Sequence, residues 1–322
     1  EQWFMDMKGL AAKARPHLER AEVAYEPDRY RAYALEWLDN IRDWALSRQI
    51  WWGHRIPAWY CVDCSGDGLQ PLGGYERERA LAEGAFRVSV AMGARPIVQV
   101  EPPSRCRDCG GERVEQDPDV LDTWFSSALW PFATLGWPQQ TEDLAYFHPT
   151  DLMITGRDIL YLWVLRMIMT AVEFVDQIPF RTVLVHPTVL TKDGRRMSKS
   201  LGTGLNPLDL VRIYGADATR YGLLAQCGSS QDIRFDAEIE NNAVTASLSA
   251  EAGRNFCNKL WNAARYVLLN LDGAPPAADP AAGAELADRW IQSRLAHAIL
   301  LVDQAQEAFR FSEMIRVLHA DP

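Results

Sequence analysis

The sequence predicts an α/β protein of the nucleotide-binding type, interrupted by a cysteine module and extended by helices. Three observations carry that reading. The apolar run Asp151-Leu152-Met153-Ile154-Thr155, a helical stretch over residues 158 to about 172, and a second apolar run over 182 to 186 alternate as strand, helix, strand. That alternation is the pattern of a parallel sheet with crossover helices. Two Cys-x2-Cys pairs, Cys61/Cys64 and Cys106/Cys109, are separated by 41 residues. After Phe235 the periodicity becomes almost continuously helical.

Composition narrows the class. The chain has 322 residues, 48% apolar and 24% charged, which suits a soluble globular protein of about two domains. No run of 18 or more apolar residues is present to span a bilayer, so no membrane partner is expected. The opening Glu1-Gln2-Trp3-Phe4-Met5-Asp6 has neither the basic start nor the apolar core of a signal peptide, and no initiator Met. A cytoplasmic setting is expected, and the chain reads as an internal piece of something longer. A net charge of −10 argues against nucleic-acid binding driven by overall charge. A local basic face at Lys192, Arg195, Arg196 and Lys199 can still act alone.

The elements follow in order. Residues 3 to about 21 read as a helix, with Phe4, Met7, Leu10 and Ala11 near helical spacing. Val23-Ala24-Tyr25 is extended, and Pro27 suits the first turn of a helix running through Leu38. Residues 39 to 59 are dense in Trp, Arg and His without a clean period, and Trp44 and Trp59 are expected in a buried aromatic corner. The cysteine module takes residues 60 to 114. Each pair can present two thiolates to one tetrahedral Zn²⁺, with Gly66, Gly68, Gly110 and Gly111 in tight turns. Four thiolates leave no open position, so the zinc would be structural; loose reduced cysteines are the alternative. Cys227 and Cys257 are isolated and expected to be ordinary buried residues.

An acidic connector over 115 to 119 leads into Leu121-Asp122-Thr123-Trp124-Phe125-Ser126-Ser127, where Asp122 or Thr123 can cap a short helix. Ligands of parallel sheets bind at the carboxyl ends of strands. Gly156-Arg157-Asp158 and the run Arg196-Met197-Ser198-Lys199-Ser200 both fall at such ends. Residues 238 to 271 are expected to form a nearly uninterrupted helix, 272 to 283 an Ala/Pro/Gly/Asp linker, and 285 to 319 an amphipathic helix.

The run at 196–200 lies in a glycine-containing loop between Val183-Leu184-Val185-His186-Pro187 and the helical stretch after Asn206-Pro207. A loop with a Lys, two hydroxyls and small residues can gather cations and donors around a polyphosphate and reopen afterwards. Here the sequence resembles the class I aminoacyl-tRNA synthetases, whose Lys-Met-Ser-Lys-Ser loop promotes amino-acid adenylation. It departs at the first position, where Arg196 keeps the charge but carries it on a planar guanidinium. Trp51-Trp52-Gly53-His54-Arg55-Ile56-Pro57-Ala58-Trp59, the Leu121 to Ser127 segment and Gly156-Arg157-Asp158-Ile159 are similar to the valine-specific branch of that family. Isoleucine-specific members carry an Asp after the Phe in the second segment. The resemblance runs over essentially the whole chain.

That resemblance implies a second half of a Rossmann-like catalytic domain with a zinc-knuckle insertion, followed by an α-helical bundle. Residues 1–59 would follow the editing insertion, 60–114 bind zinc, 115–237 form the C-terminal half of the catalytic domain, and 238–322 begin the anticodon-binding bundle. Trp124, Ile159 and Trp163 match positions lining the amino-acid side-chain pocket. Ile159 and Trp163 are four apart, so a helix places them on one face; a plain core role for Trp163 stays open. Gly156 and Asp158 match the adenosine-contacting strand end, where Asp158 accepts ribose hydroxyls, caps a helix, or both. His186 is placed to pack beside adenine. Lys199 is the foremost catalytic candidate, Arg196 holds the same phosphates, and Ser198 and Ser200 donate hydrogen bonds or shape the loop. His54 and Arg55 either face the tRNA acceptor end or support the site. The family's His-Ile-Gly-His signature is absent from these residues. The implied partners are therefore ATP with Mg²⁺, L-valine, tRNA(Val) and a missing N-terminal half of the same polypeptide, without which the piece would be inactive. An isoleucyl-tRNA synthetase fragment and a non-catalytic RNA-binding synthetase remnant are the alternatives.

Overall fold

The computed structural model describes residues 3–64, 95–198, 203–228, 232–240, 243–271, 273 and 285–320. The chain divides into two compact units, Glu1–Leu184 and Val185–Pro322.

In the first unit the first helix is shorter than its periodicity suggests. Phe4–Met5 is a strand, paired antiparallel with Trp44–Ala45. Asp6 then caps the Met7–Glu19 helix through hydrogen bonds from Lys8 N and Gly9 N at 3.1 and 3.3 Å. The capping carboxylate decides the start, because it satisfies amides that have no partner inside the helix. Met7, Ala11, Ala14 and Leu18 form its buried stripe, which packs on the Leu165–Val175 helix. That helix is buried along most of its length, with Met167, Ile168, Met169 and Ala171 all at 1% exposure or less.

Three strands form the central sheet in the order Ala24–Glu26, Phe180–His186, Thr150–Gly156. Ala24–Glu26 pairs in parallel with Phe180–His186, Thr182 opposite Ala24 and Leu184 opposite Glu26. The single helix expected over 158–172 is three segments instead: a 3₁₀ turn at Arg157–Ile159, a π turn at Leu160–Val164, and the α-helix proper. Apolar spacing over five residues does not separate 3.0, 3.6 and wider turns, so the pattern located the helix but not its winding.

The cysteine module hangs on a small antiparallel sheet, in which Ala58–Cys61 pairs with Ile97–Val98 and with Val114–Gln116. Trp44 is buried as expected. Trp59 is only half-buried, because along this strand Ala58 and Tyr60 point inward and the residue between them points away. Its indole N–H donates to Gln99 O at 3.0 Å.

In the second unit Val189–Leu190 pairs in parallel with Ile233–Arg234. Leu210, Ile233, Phe235, Val244 and Ala250 make one core cluster. The uninterrupted helix expected from 238 is corrected: Glu238–Glu240 and Ala243–Ala246 are antiparallel strands. Val244 is β-branched and reaches the core as a strand residue. Ser247 Oγ then caps the Leu248–Asn270 helix by accepting from Ala250 N at 3.2 Å. That helix crosses the Ala216–Leu224 helix at two glycines. A Cβ on Gly253 would stand 2.6 Å from Ala218 O, and one on Gly222 would stand 2.9 Å from Ala250 N. The amphipathic stretch from 285 is likewise two helices, Leu286–Glu307 and Phe311–Ala320, divided at Phe309 with φ +53°. Cys227 and Cys257 are half-buried and not fully buried. The expected linker, 272–283, lies outside the described residues except for Gly273.

Candidate functional site

The four module cysteines converge. Their sulfurs all lie within 4.8 Å of one another, with Cys61 to Cys109 at 3.5 Å and Cys64 to Cys106 at 3.7 Å. None is in a disulfide. A tetrahedron of thiolates at a Zn–S distance of about 2.3 Å has sulfur–sulfur edges of roughly 3.8 Å, so the donor set fits such a metal. The second knuckle closes through Cys106 N to Gly111 O at 2.8 Å and Gly110 N to Cys106 O at 3.0 Å, with Gly110 at φ +74°. Backbone N–H groups of Cys109 and Asp108 pull the Cys106 thiol down to about 7. Burial foremost pushes Cys61 up, and hydrogen bonding among the neighbouring thiols, Cys109 foremost, pushes Cys64 up. Four thiols that cannot all ionise comfortably together are what a cation would relieve. Gly66 and Gly68 lie outside the described residues.

Also in the first unit, the Thr123–Ala128 helix packs against the Leu160–Val164 turn and the Leu165–Val175 helix. Trp163 Nε1 donates to Ser127 O at 3.1 Å, and Trp163 lies 6.2 Å from the Trp130 ring. Thus the elements carrying Trp124 and Trp163 are joined, and both residues are half-buried, as is Ile159 at the end of the 3₁₀ turn. Gly156 ends its strand. Asp158 sits exposed inside the following turn, whose N-cap position is Gly156. His54 Nδ1 meets Ser126 Oγ at 2.6 Å, and Arg55 donates to Asp117 O at 2.7 Å and Gln116 O at 3.2 Å.

The sequence did not disclose how much converges on Asp122. Its Oδ2 accepts from Arg48 Nη2 at 2.6 Å and Trp44 Nε1 at 3.1 Å, and its Oδ1 from Trp124 N at 3.1 Å. The Arg166 guanidinium lies 3.6 Å over the Trp44 ring, and burial foremost lowers its pKa. Only the cap was visible in the local sequence.

In the second unit His186 is exposed, its Nδ1–H donating to Pro187 O at 3.0 Å. The loop stem turns at Gly194, φ +83°, where a Cβ would stand 3.1 Å from Arg234 Nε. Leu190 and Arg196 form a bridge across it. Ser198 N donates to Thr203 Oγ1 at 3.0 Å and Thr203 N to Ser198 O at 3.1 Å. Lys199 and Ser200 lie outside the described residues. The basic face is more balanced than its sequence suggests, since Lys192 pairs with Glu238 at 3.5 Å and Arg195 with Asp193 at 2.6 Å.

Residues 1–236 match the family model described as tRNA synthetases class I (I, L, M and V). The chain belongs to this family. Curated relatives named valine–tRNA ligase, from Symbiobacterium thermophilum and Thermus thermophilus, are 44% and 41% identical over 99% of the chain. The chain spans about a third of their length, 31% and 33%. Among solved structures, a methionyl-tRNA synthetase of Mycobacterium tuberculosis bound by methionyl-adenylate is similar at TM-score 0.64 and 19% identity, over 99% of this chain and 50% of that one. A leucyl-tRNA synthetase of Agrobacterium radiobacter K84, in ternary complex with tRNA and LeuAMS, is similar at TM-score 0.61 and 22% identity, over 86% of this chain and 35% of that one. These likenesses establish the class I synthetase fold. No helix among the described residues is long and apolar enough to cross a membrane.

Proposed function

We propose that this chain is part of an enzyme that joins L-valine to tRNA(Val) at the expense of ATP, through valyl-adenylate, in the cytoplasm. The observation that carries the reading is 44% identity to a valine–tRNA ligase across 99% of the chain. In the proposed reaction the valine carboxylate attacks the α-phosphorus, an acyl–phosphate bond forms, and pyrophosphate leaves with the electron pair. A tRNA hydroxyl then displaces AMP. Trp124, Ile159 and Trp163 enclose the aliphatic side chain. Gly156 lets the backbone approach the nucleotide, Asp158 accepts from the ribose hydroxyls, and His186 lies beside the adenine. Lys199 and Arg196 neutralise charge that grows on the phosphates in the transition state, and Ser198 and Ser200 donate to the same oxygens. Mg²⁺ accompanies ATP as part of the substrate. Cys61, Cys64, Cys106 and Cys109 would hold one structural Zn²⁺, which ties two strands together and takes no part in the chemistry. The domain reading follows: a zinc insertion at 60–114, a catalytic half over 115–237 and a helical anticodon-binding start from 238.

The test is valine-dependent ATP–pyrophosphate exchange by the complete enzyme. Lys199→Ala should slow adenylate formation by roughly 2.7–4 kcal/mol of barrier, the cost of one transition-state donor, with valine affinity little changed. A near-normal exchange rate at saturating ATP would overturn the assignment of Lys199.

A further inference from the structure

Asp122 does more than cap a helix. Among the described residues it is one of three buried acids, 7% exposed, and its two oxygens serve different elements. Oδ1 accepts the amide of Trp124, while Oδ2 accepts the indole N–H of Trp44 and a guanidinium N–H of Arg48. Both Oδ2 partners come from far back in the chain, 78 and 74 residues away. Arg48 is itself fixed, donating to Ala45 O at 2.8 Å and Ser47 O at 2.9 Å. Asp122 N in turn donates to Leu46 O at 2.8 Å. The strand pair Ser47–Arg48 and Val120–Leu121 brings the two segments side by side.

The helix so anchored is only six residues long, Thr123–Ala128. A helix that short does not hold itself in place. Its far end is tied by Trp163 Nε1 to Ser127 O and by Thr170 Oγ1 to Ala128 O at 2.8 Å. Its near end is tied by Asp122. The Trp124 amide bonds directly to that carboxylate, so the position of Trp124 follows the Arg48–Trp44 frame. Removal of the charge would leave Arg166, stacked on Trp44, facing no nearby acid in this node, which costs stability where solvent is scarce; Arg48, its side chain 39% exposed, would lose less.

We propose that Asp122 is a positioning residue for amino-acid selection: through its bonds to Arg48 and Trp44 it sets where Trp124 stands in the side-chain pocket. The proposal rests on the reading of Trp124 as a pocket wall. Discrimination by one methylene in an apolar pocket is worth only about 10- to 200-fold, so a small displacement of one wall erodes it.

Asp122→Asn separates the two roles. The side-chain oxygen of Asn can still accept the Trp124 amide and cap the helix, but its NH₂ is a donor facing two donors. In the complete enzyme, Asp122→Asn should raise the KM for valine and lower the valine-over-isoleucine ratio of kcat/KM, each roughly 10-fold, with the KM for ATP unchanged. Trp44→Phe, which deletes one donor and leaves the carboxylate, should move the same ratio in the same direction by less. Trp124→Ala is measured alongside. If Trp124→Ala collapses the ratio while Asp122→Asn preserves it, or only lowers kcat uniformly, the positioning role is overturned and the pocket reading stands. If Trp124→Ala also preserves the ratio, the pocket reading itself falls. Should Asp122→Asn not fold, the ratio in Trp44→Phe decides: a fall supports the proposal and no change overturns it.

Discussion

His148 is a side chain whose chemistry is set by its surroundings and not by its neighbours in sequence. It is 7% exposed, stands edge-on to the Phe132 ring at 6.3 Å, and reaches Gln177 Oε1 at 3.2 Å through Nδ1. Nε2 has no hydrogen-bond partner. Burial therefore lowers its pKa below the ordinary 6.5, opposed in part by Gln177. The unfolded chain then binds a proton that the folded chain refuses. Stability from this group is present above about pH 6.5 and lost as pH falls below it. Urea midpoints at pH 8, 6.5 and 5 should fall with pH in the parent, and the fall should be shallower in His148→Gln. Identical slopes would remove His148 from the account. At this scale the cysteines were legible because a metal knuckle is written within four consecutive residues. The Asp122 node was not, because its partners are 74 and 78 residues distant and only the fold brings them together.

The elements were read well where one physical signal dominated. The strand at Thr150–Gly156 and the strand at Phe180–His186 stand where their apolar runs placed them. Readings failed where two signals competed. Helical spacing around Phe4 lost to the Asp6 cap, and the helical pattern from 238 lost to the β-branched pair Val244-Thr245 and the Ser247 cap. The crossing of Ala216–Leu224 with Leu248–Asn270 was invisible, since a glycine in a helix carries no periodic signal. A Cβ on either glycine would meet backbone first, at 2.6 Å for Gly253 and 2.9 Å for Gly222, with the Tyr221 ring 3.0 Å from the former, so neighbours cannot yield cheaply. Gly253→Ala should destabilise the second unit by about 1–3 kcal/mol, as overpacking of a close contact does. Thermal unfolding followed by circular dichroism reads this directly; an unchanged midpoint would show that the helices can part without cost.

At the scale of the molecule, amphipathic patterning located the long helices but not what they meet. Trp261 on Leu248–Asn270 and Trp290 on Leu286–Glu307 are 74% and 56% exposed. The pattern marks an apolar face and is silent about its partner. The cysteine module is different, because its four converging sulfurs offer a chemical closure. Chelation of metal from freshly purified protein should strip amide-exchange protection from Ala58–Cys61 and its two neighbouring strands, and Cys64→Ser should release the metal without a chelator. Protection that survives complete metal removal would mean that the three strands hold themselves.

The three strands and four sulfurs join two segments far apart in the chain: Cys61 and Cys64 come from the first, Ile97, Val98, Cys106 and Cys109 from the second. A metal bridging Cys61 and Cys109, 48 residues apart in the chain, would restrict the unfolded chain, and that gain grows only with the logarithm of the separation, roughly 0.6 kcal/mol for each doubling. The number of residues between the two knuckles can thus change over evolutionary time with little consequence for that gain. With metal bound, the paired knuckles would be a joint that keeps its strands in register whatever the spacing between its two halves.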